Sequence, residues 1–319
     1  MVRSSDPDEL FVAARSGDRA SLARLLSLIE RGGEPGRRVG RLAYPESGRA
    51  YTVGLTGAPG AGKSTLTSAA IGHLRSLEIE VAVLAIDPSS PFSGGAILGD
   101  RVRMQDHATD PGVFIRSMAT RGHLGGLSLA TPEAVRLLDA VGRRWVLVET
   151  VGVGQVEVEV AGKADTTVVV VNPGWGDSVQ ANKAGLMEIA DVFVINKADR
   201  KGVAETRRDL EQMLDLSDLP HDSWRPPIVA TVGSTGEGVV ELWDAVLAHR
   251  EYAETTGQLA ERRSYRAAEE LREIVANRLR EKARSLCTGA RWDELTEAVG
   301  LQTTDPWTAA DEMLGGIDA

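Results

Sequence analysis

Residues 57–65, Gly57-Ala58-Pro59-Gly60-Ala61-Gly62-Lys63-Ser64-Thr65, fill every fixed position of the phosphate-cradling pattern G-x-x-x-x-G-K-[ST]. The glycines let backbone N–H groups curl around an anion. Lys63 brings a positive charge to the terminal phosphates, and the Ser64 hydroxyl is a hard oxygen of the kind Mg2+ takes. Glu149-Thr150-Val151-Gly152 places a carboxylate after an apolar run, then a glycine able to present its N–H to a terminal phosphate. Asp87, in Asp-Pro-Ser-Ser, and Asp100, in Gly-Asp-Arg-Val-Arg, are further carboxylates that could organise a cation or its water; for Asp100 a plain surface charge remains the alternative. Asn196-Lys197-Ala198-Asp199 completes the set. The Asp199 carboxylate can accept two N–H donors from the edge of guanine, an arrangement adenine does not offer, while the Lys197 stem can cover the ring. A glycine-rich turn, a capping carboxylate and a surface acid would explain each motif alone, but together in this order they point to GTP or GDP with Mg2+.

Such groups must share one rim, and in an open α/β sheet that rim lies at the carboxyl ends of the strands. Apolar, often β-branched runs at 51–56, 81–86, 112–116, 145–148, 166–171, 192–195 and 228–231 predict strands. Between them, 63–77, 131–141, 180–188, 203–214 and 239–250 predict helices, so the expected fold is α/β, a mostly parallel sheet covered on both faces. Asp87, Glu149 and Asn196 each follow or close a strand, which places them beside the phosphate loop. Upstream, 8–17 and 18–31 predict two helices packed on the core, the second capped by Asp18, with Leu22, Leu25, Leu26 and Ile29 at helical spacing. The stretch 32–48, rich in Gly, Pro and Arg, reads as a linker. Beyond residue 250 a charged helix over 258–287 carries Ala267, Ala268, Leu271, Ile274, Val275, Leu279, Ala283 and Leu286 on one broad face, and shorter helices are expected at 290–299 and 306–314. The organisation expected is a helical extension and linker (1–48), a nucleotide domain (49–250) and a helical arm (251–319). The arm's apolar face could dock on its own domain or pair with a second subunit.

Bulk properties exclude several classes. A formal charge of −10 argues against general nucleic-acid binding, and no apolar run is long enough to span a bilayer. Asp6, Asp8 and Glu9 make the start of the chain acidic where a targeting peptide would be basic, so a cytoplasmic protein is expected. Cys287 is the only cysteine, and His73, His107, His123, His221 and His249 are scattered, a pattern of surface or satisfied interior histidines and not of a metal site.

Six stretches resemble one family, the methylmalonyl-CoA mutase-associated GTPases (MeaB/ArgK): GAPGAGKST (57–65), VLAIDPSSPFSGGAILGDRVRM (83–104), FIRSMATRGHLGGL (114–127), ETVGVGQVE (149–157), GWGDSVQANKAGLMEIAD (174–191) and INKAD (195–199). The resemblance implies GTP hydrolysis coupled to loading, protection and release of adenosylcobalamin in an acyl-CoA mutase, and a homodimer formed through the C-terminal arm. It further implies that Lys63 and Ser64 hold phosphate and Mg2+, that Asp87, Asp100 and Glu149 organise metal and attacking water, and that Asn196, Lys197 and Asp199 hold guanine. Asp177, Gln180 and Lys183 then belong to a loop that couples nucleotide state to the mutase. Two positions depart from the family pattern: Val156 replaces the Ser of G-Q-S-E, and Val232-Gly233 replaces the Ser-Ala that contacts the guanine oxygen. A small-molecule kinase, a metal-insertion maturation GTPase, a protein-targeting GTPase and a nucleotide-binding scaffold without turnover are the rivals. The chain lacks the His-rich or Cys-bearing metal tract of the second and the Met-rich module of the third.

Overall fold

The computed structural model describes residues 5–88, 105–107, 109–120, 126–150, 163–174, 188–216 and 223–315. It forms two compact units, Met1–Arg266 and Ala267–Ala319. The first is built on seven parallel strands in the order β3-β2-β4-β1-β5-β6-β7. They are β1 (Tyr51–Gly57), β2 (Val81–Pro88), β3 (Val113–Thr120), β4 (Trp145–Thr150), β5 (Thr166–Val171), β6 (Val192–Asn196) and β7 (Ile228–Thr231). Strands β2, β3 and β4 fill one side of β1, and β5, the next strand in the chain, lies on the other. That reversal beside β1 is a topological switch point, where a crevice opens at the carboxyl ends of the strands.

Alternation along the strands sorts the core into two faces. Tyr51, Val53, Leu55, Val81, Val83, Trp145, Leu147, Val168, Val170, Val192 and Val194 pack under α4 (Lys63–Ser76) and the helix Val239–Thr255. On the opposite face Ala82, Leu84, Ile86, Phe114, Met118, Val146 and Val148 meet α1 (Pro7–Arg15), α2 (Arg19–Arg31), α3 (Gly33–Ala43) and α5 (Gly126–Ala140). There too α6 (Val203–Asp215) covers Val169, Val171, Phe193 and Ile195. With the Val239–Thr255 helix as α7, the expected doubly covered parallel sheet is the fold found.

Three elements differ from the sequence reading. The supposed linker at 32–48 contains α3, because Val39 and Ala43 bury against α2 and α5, and Gly36 lets α3 approach so closely that a Cβ there would stand 2.8 Å from the Leu28 carbonyl oxygen. Tertiary packing overrides the poor helix propensity of its glycines. Strand β3 runs on to Thr120, well past the predicted 116, because it pairs with β2 along its full length. Helix α5 starts at Gly126 and continues through Pro132 instead of opening there, giving up one helix hydrogen bond. The Asp18 cap is present, its carboxylate accepting from the amides of Ala20 and Ser21. The helix expected at 180–188 falls almost wholly outside the described residues.

At the amino ends of the strands, opposite the crevice, polar side chains are buried in matched pairs. Asp165 accepts from the Thr52 amide (3.0 Å) and from Arg263 Nη2 (2.6 Å) and Arg266 Nη2 (2.5 Å), while His249 Nδ1 lies 2.8 Å from Thr166 Oγ1, which in turn bonds the Tyr51 hydroxyl. Arg263 and Arg266 lie at the start of α8 (Gln258–Leu286), so these pairs fix its root to the sheet. Burial pushes the Asp165 carboxyl up, but the hydrogen bond from Arg263 and the charges of both arginines outweigh it and hold the group below its ordinary 3.8. A carboxyl depressed in the folded state lends stability that is complete above the ordinary value and lost as pH falls through the depressed one. Asp165→Asn is therefore expected to cost about 3 kcal/mol at pH 7, by leaving two guanidinium groups without their anion. It should also flatten the fall in melting temperature between pH 5 and pH 3; urea unfolding and a melting series over that range check both.

In the second unit, α9 (Ala290–Gly300) and α10 (Pro306–Leu314) form a helix pair closed over Leu295 and Ala309, with Asp305 capping α10. On the outer part of α8, Leu271, Val275 and Leu279 recur every fourth residue and are exposed.

Candidate functional site

The phosphate loop joins β1 to α4 at the switch point. Gly57 has φ 139°, and a Cβ there would fall 1.9 Å from the Val170 carbonyl oxygen of β5, so only glycine fits between the two strands. Gly62, at φ 90°, caps α4 and aims its first amides into the loop. Lys63 and Ser64 open the helix and are both buried, and Lys63 Nζ donates to the carbonyls of Gly57 (2.8 Å) and Ala58 (3.2 Å).

Strand parity explains the meeting of Ser64 with Glu149. Trp145 and Leu147 of β4 face α4, so Glu149, two residues further, faces it too, in register with Leu55 of β1. Its carboxylate is fully buried, and Oε1 accepts from Ser64 Oγ at 2.6 Å. A hydroxyl and a carboxylate brought together under a loop of backbone amides are hard oxygen donors suited to Mg2+.

Asn196, at the end of β6, ties three parts of the site together. Its Nδ2 donates to the Ala61 carbonyl (2.8 Å), while Oδ1 accepts from Thr231 Oγ1 (3.1 Å) and from the Gly233 amide (3.0 Å). Lys197, at φ 61°, turns back so that Nζ donates to the Gly60 carbonyl (2.6 Å), and the Ala198 amide bonds the Thr231 carbonyl. Asp199 is left exposed on the rim. Beside it lies a tight turn over 232–237. Val232 N donates to Glu237 O, Thr235 N and Gly236 N to Val232 O, Glu237 N to Thr235 Oγ1, and Gly233 N is held by Asn196. Ser234 is exposed, and its amide makes no such bond among the described residues. The sequence marks 231–234 as the stretch facing the guanine oxygen and shows its departure from Ser-Ala, but assigns no role to Thr231 or Ser234 individually. A hydroxyl residue ending the strand beside β6 was the available signal for Thr231.

Gly57, Ala58, Pro59, Gly60, Ala61, Gly62, Lys63, Ser64, Thr65, Glu149, Asn196, Lys197 and Asp199 are thus gathered around one crevice. Asp87 lies on the carboxyl-terminal part of β2, its backbone in register with Ala119. Asp100, Gly152, Val156, Asp177, Gln180 and Lys183 lie outside the described residues.

A parallel sheet with a G-x-x-x-x-G-K-S loop at its switch point and an N-K-x-D tetrad two strands away defines a P-loop GTPase. Residues 22–287 match the family model "Methylmalonyl Co-A mutase-associated GTPase MeaB", and the chain belongs to that family. It is 51% identical over 315 residues to a Pyrococcus abyssi protein named provisionally as a GTPase, the match covering 97% of each chain. GTPase ArgK of Escherichia coli is 38% identical, covering 85% of this chain and 84% of its own. The mouse protein "Methylmalonic aciduria type A homolog, mitochondrial" is 35% identical, covering 80% of this chain and 66% of its own. Among solved structures, one titled "LAO/AO transport system kinase" superposes over 100% of both chains with a TM-score of 0.71 at 27% identity.

Proposed function

We propose that this chain hydrolyses GTP to gate the loading, protection and release of adenosylcobalamin in an acyl-CoA mutase, methylmalonyl-CoA mutase or a close relative. The observation that carries the catalytic half is the buried Ser64–Glu149 contact beside Lys63, which assembles the metal-ligating hydroxyl, its carboxylate and the phosphate-binding cation at one point. The family match supports the mutase half.

In this reading Lys63 and the amides of residues 57–65 hold the phosphates, and Ser64, Glu149, Asp87 and Asp100 serve the cation and the attacking water. Bound Mg2+ supplies charge neutralisation across the phosphates. Asn196 fastens the base-reading segment to the phosphate loop, Lys197 covers the ring and Asp199 reads the guanine edge. With the Gly233 amide engaged by Asn196, the Ser234 amide is the donor left for the guanine oxygen, which accommodates the departure at Val232-Gly233. The exposed Leu271, Val275 and Leu279 favour a homodimer through the arm, and the absence of any paired cysteine suits a cytoplasmic setting.

Gly152 is followed by Val153, where many GTPases place a water-orienting Gln, so turnover by the chain alone should be slow. The start of the proposed coupling loop is anchored, since the Gly174 amide donates to Thr206 Oγ1 at the head of α6. The test is GTP hydrolysis with and without the cognate mutase. Acceleration of about tenfold or more is expected for the parent and is expected to be lost in Asp177→Ala and Lys183→Ala. Equal acceleration of all three would remove the loop from the coupling, and none in the parent would remove the mutase. The kinase name of the solved relative raises one rival; phosphate released from GTP without any acceptor present counts against it.

A further inference from the structure

Helix α4 carries Lys63 and Ser64 at its start, and one row of its surface is gripped by the chain returning from β2 to β3. His107 sits against the second turn: its Nε2 lies 3.0 Å from the Ser68 carbonyl oxygen and 3.1 Å from Ser68 Oγ. A carbonyl only accepts, so Nε2 carries the proton and donates. Ser68 follows Ser64 by one helical turn on the same side of the helix, and Ser64 is the residue bonded to Glu149. Further along the same row, Arg75 Nε donates to Asp110 Oδ2 (2.8 Å), whose other oxygen accepts from the Gly112 amide (2.7 Å). Arg19 of α2 completes this second grip through the carbonyls of Asp110 (3.1 Å) and Val113 (2.7 Å).

The return into β3 is therefore already fastened at the far end of α4 and to α2. The His107 clamp adds little to that fastening. It acts instead two turns nearer the phosphate loop, where it ties the opening turns of α4 to the β2–β3 connection. We propose that His107 is a positioning residue for the nucleotide site: by holding Ser68 it fixes the helical turn that presents Ser64, and so sets how readily the site takes its divalent cation with the nucleotide. His107 does not itself touch nucleotide. This inference rests on the nucleotide reading above and concerns the cation half of it.

Loosening the clamp frees the opening turn of α4 by a fraction of an ångström, a displacement to which the Ser64 oxygen as a cation ligand is sensitive, whereas a cradle of several amides with the long Lys63 side chain absorbs it. The test is GDP binding by calorimetry to the full chain, in EDTA and across a Mg2+ titration, for the parent and for His107→Ala, His107→Asn and His107→Gln. In EDTA, affinities of all four are expected to agree within about twofold, as for changes remote from the ligand. The Mg2+ concentration needed for half-maximal tightening should rise about tenfold in His107→Ala. It should rise equally in His107→Asn, whose amide stops short of Ser68. His107→Gln, whose amide nitrogen can stand where Nε2 does, should return to within about threefold of the parent. The same Mg2+ dependence in the parent and in the Ala and Asn variants overturns the proposal. Equal losses with and without Mg2+ overturn it too, since they would mark a general structural role. A parent that binds no GDP at all removes the nucleotide reading itself, and this inference with it.

Discussion

Lys63→Ala is expected to give a folded protein whose GTP hydrolysis is slower by about a thousandfold, equivalent to about 4 kcal/mol of transition-state stabilisation. The side chain is buried, and its ammonium lies within 3.2 Å of two carbonyls of the phosphate loop, so it is already desolvated and aimed at the concavity where terminal phosphates sit. Charge develops there during phosphoryl transfer, and a cation fixed in a water-poor site stabilises it with no reorganisation at the moment of reaction. Folding should survive the substitution. The contacts given up include those to the Gly57 and Ala58 carbonyls, while α4 keeps the apolar grip of Leu66, Ala70, Ile71 and Leu74. Far-ultraviolet circular dichroism and a melting curve establish the fold, and phosphate release at saturating GTP gives the rate. Undiminished turnover would take the reaction away from this crevice.

Much of the site is legible in the sequence because its chemistry is local. A loop that wraps phosphate needs glycines at fixed spacing, and the 1.9 Å clearance at Gly57 shows why such a position tolerates nothing larger. The tetrad at 196–199 is equally compact, and parallel strands buried on both faces announce themselves as β-branched runs such as Thr166–Val171. That Glu149 and Asn196 lie on the rim beside the loop follows from the strand ends; which atoms they meet does not, because the partners come from distant segments. Glu149 meets Ser64 across 85 positions of chain, through strand parity and the placement of α4. Asn196 spans 135 positions to Ala61. Helix α3 was misread because Gly33, Gly36 and Gly40 argue against a helix locally, whereas the buried face of Val39 and Ala43 decides the matter in the fold. His107 could only look like one more scattered histidine, since nothing in its neighbourhood announces Ser68.

Asp199→Asn is expected to reverse the choice between guanosine and xanthosine triphosphates, changing the ratio of their affinities by about ten-thousandfold. The carboxylate stands exposed beside Lys197, whose backbone turn at φ 61° carries the chain from the end of β6 round the rim. In the proposed pose it accepts the ring N–H and the exocyclic amine of guanine. Xanthine carries a carbonyl where that amine stood, so it meets a carboxylate with oxygen against oxygen, while an amide can donate to it. The swap counts twice, because Asn both loses an acceptor for guanine and gains a donor for xanthine, and unpaired polar groups at such a contact are costly. The rest of the reading face should be unmoved: Asn196 is fastened through Ala61, Thr231 and Gly233, none of which involves the Asp199 side chain, and the Ser234 amide addresses an oxygen that both bases share. Calorimetry with the two nucleotides, at one Mg2+ concentration, measures the ratio. Unchanged selectivity would place base recognition elsewhere, whereas loss of both nucleotides to the same degree would make Asp199 a support for the turn at Lys197 and not a reader of the base.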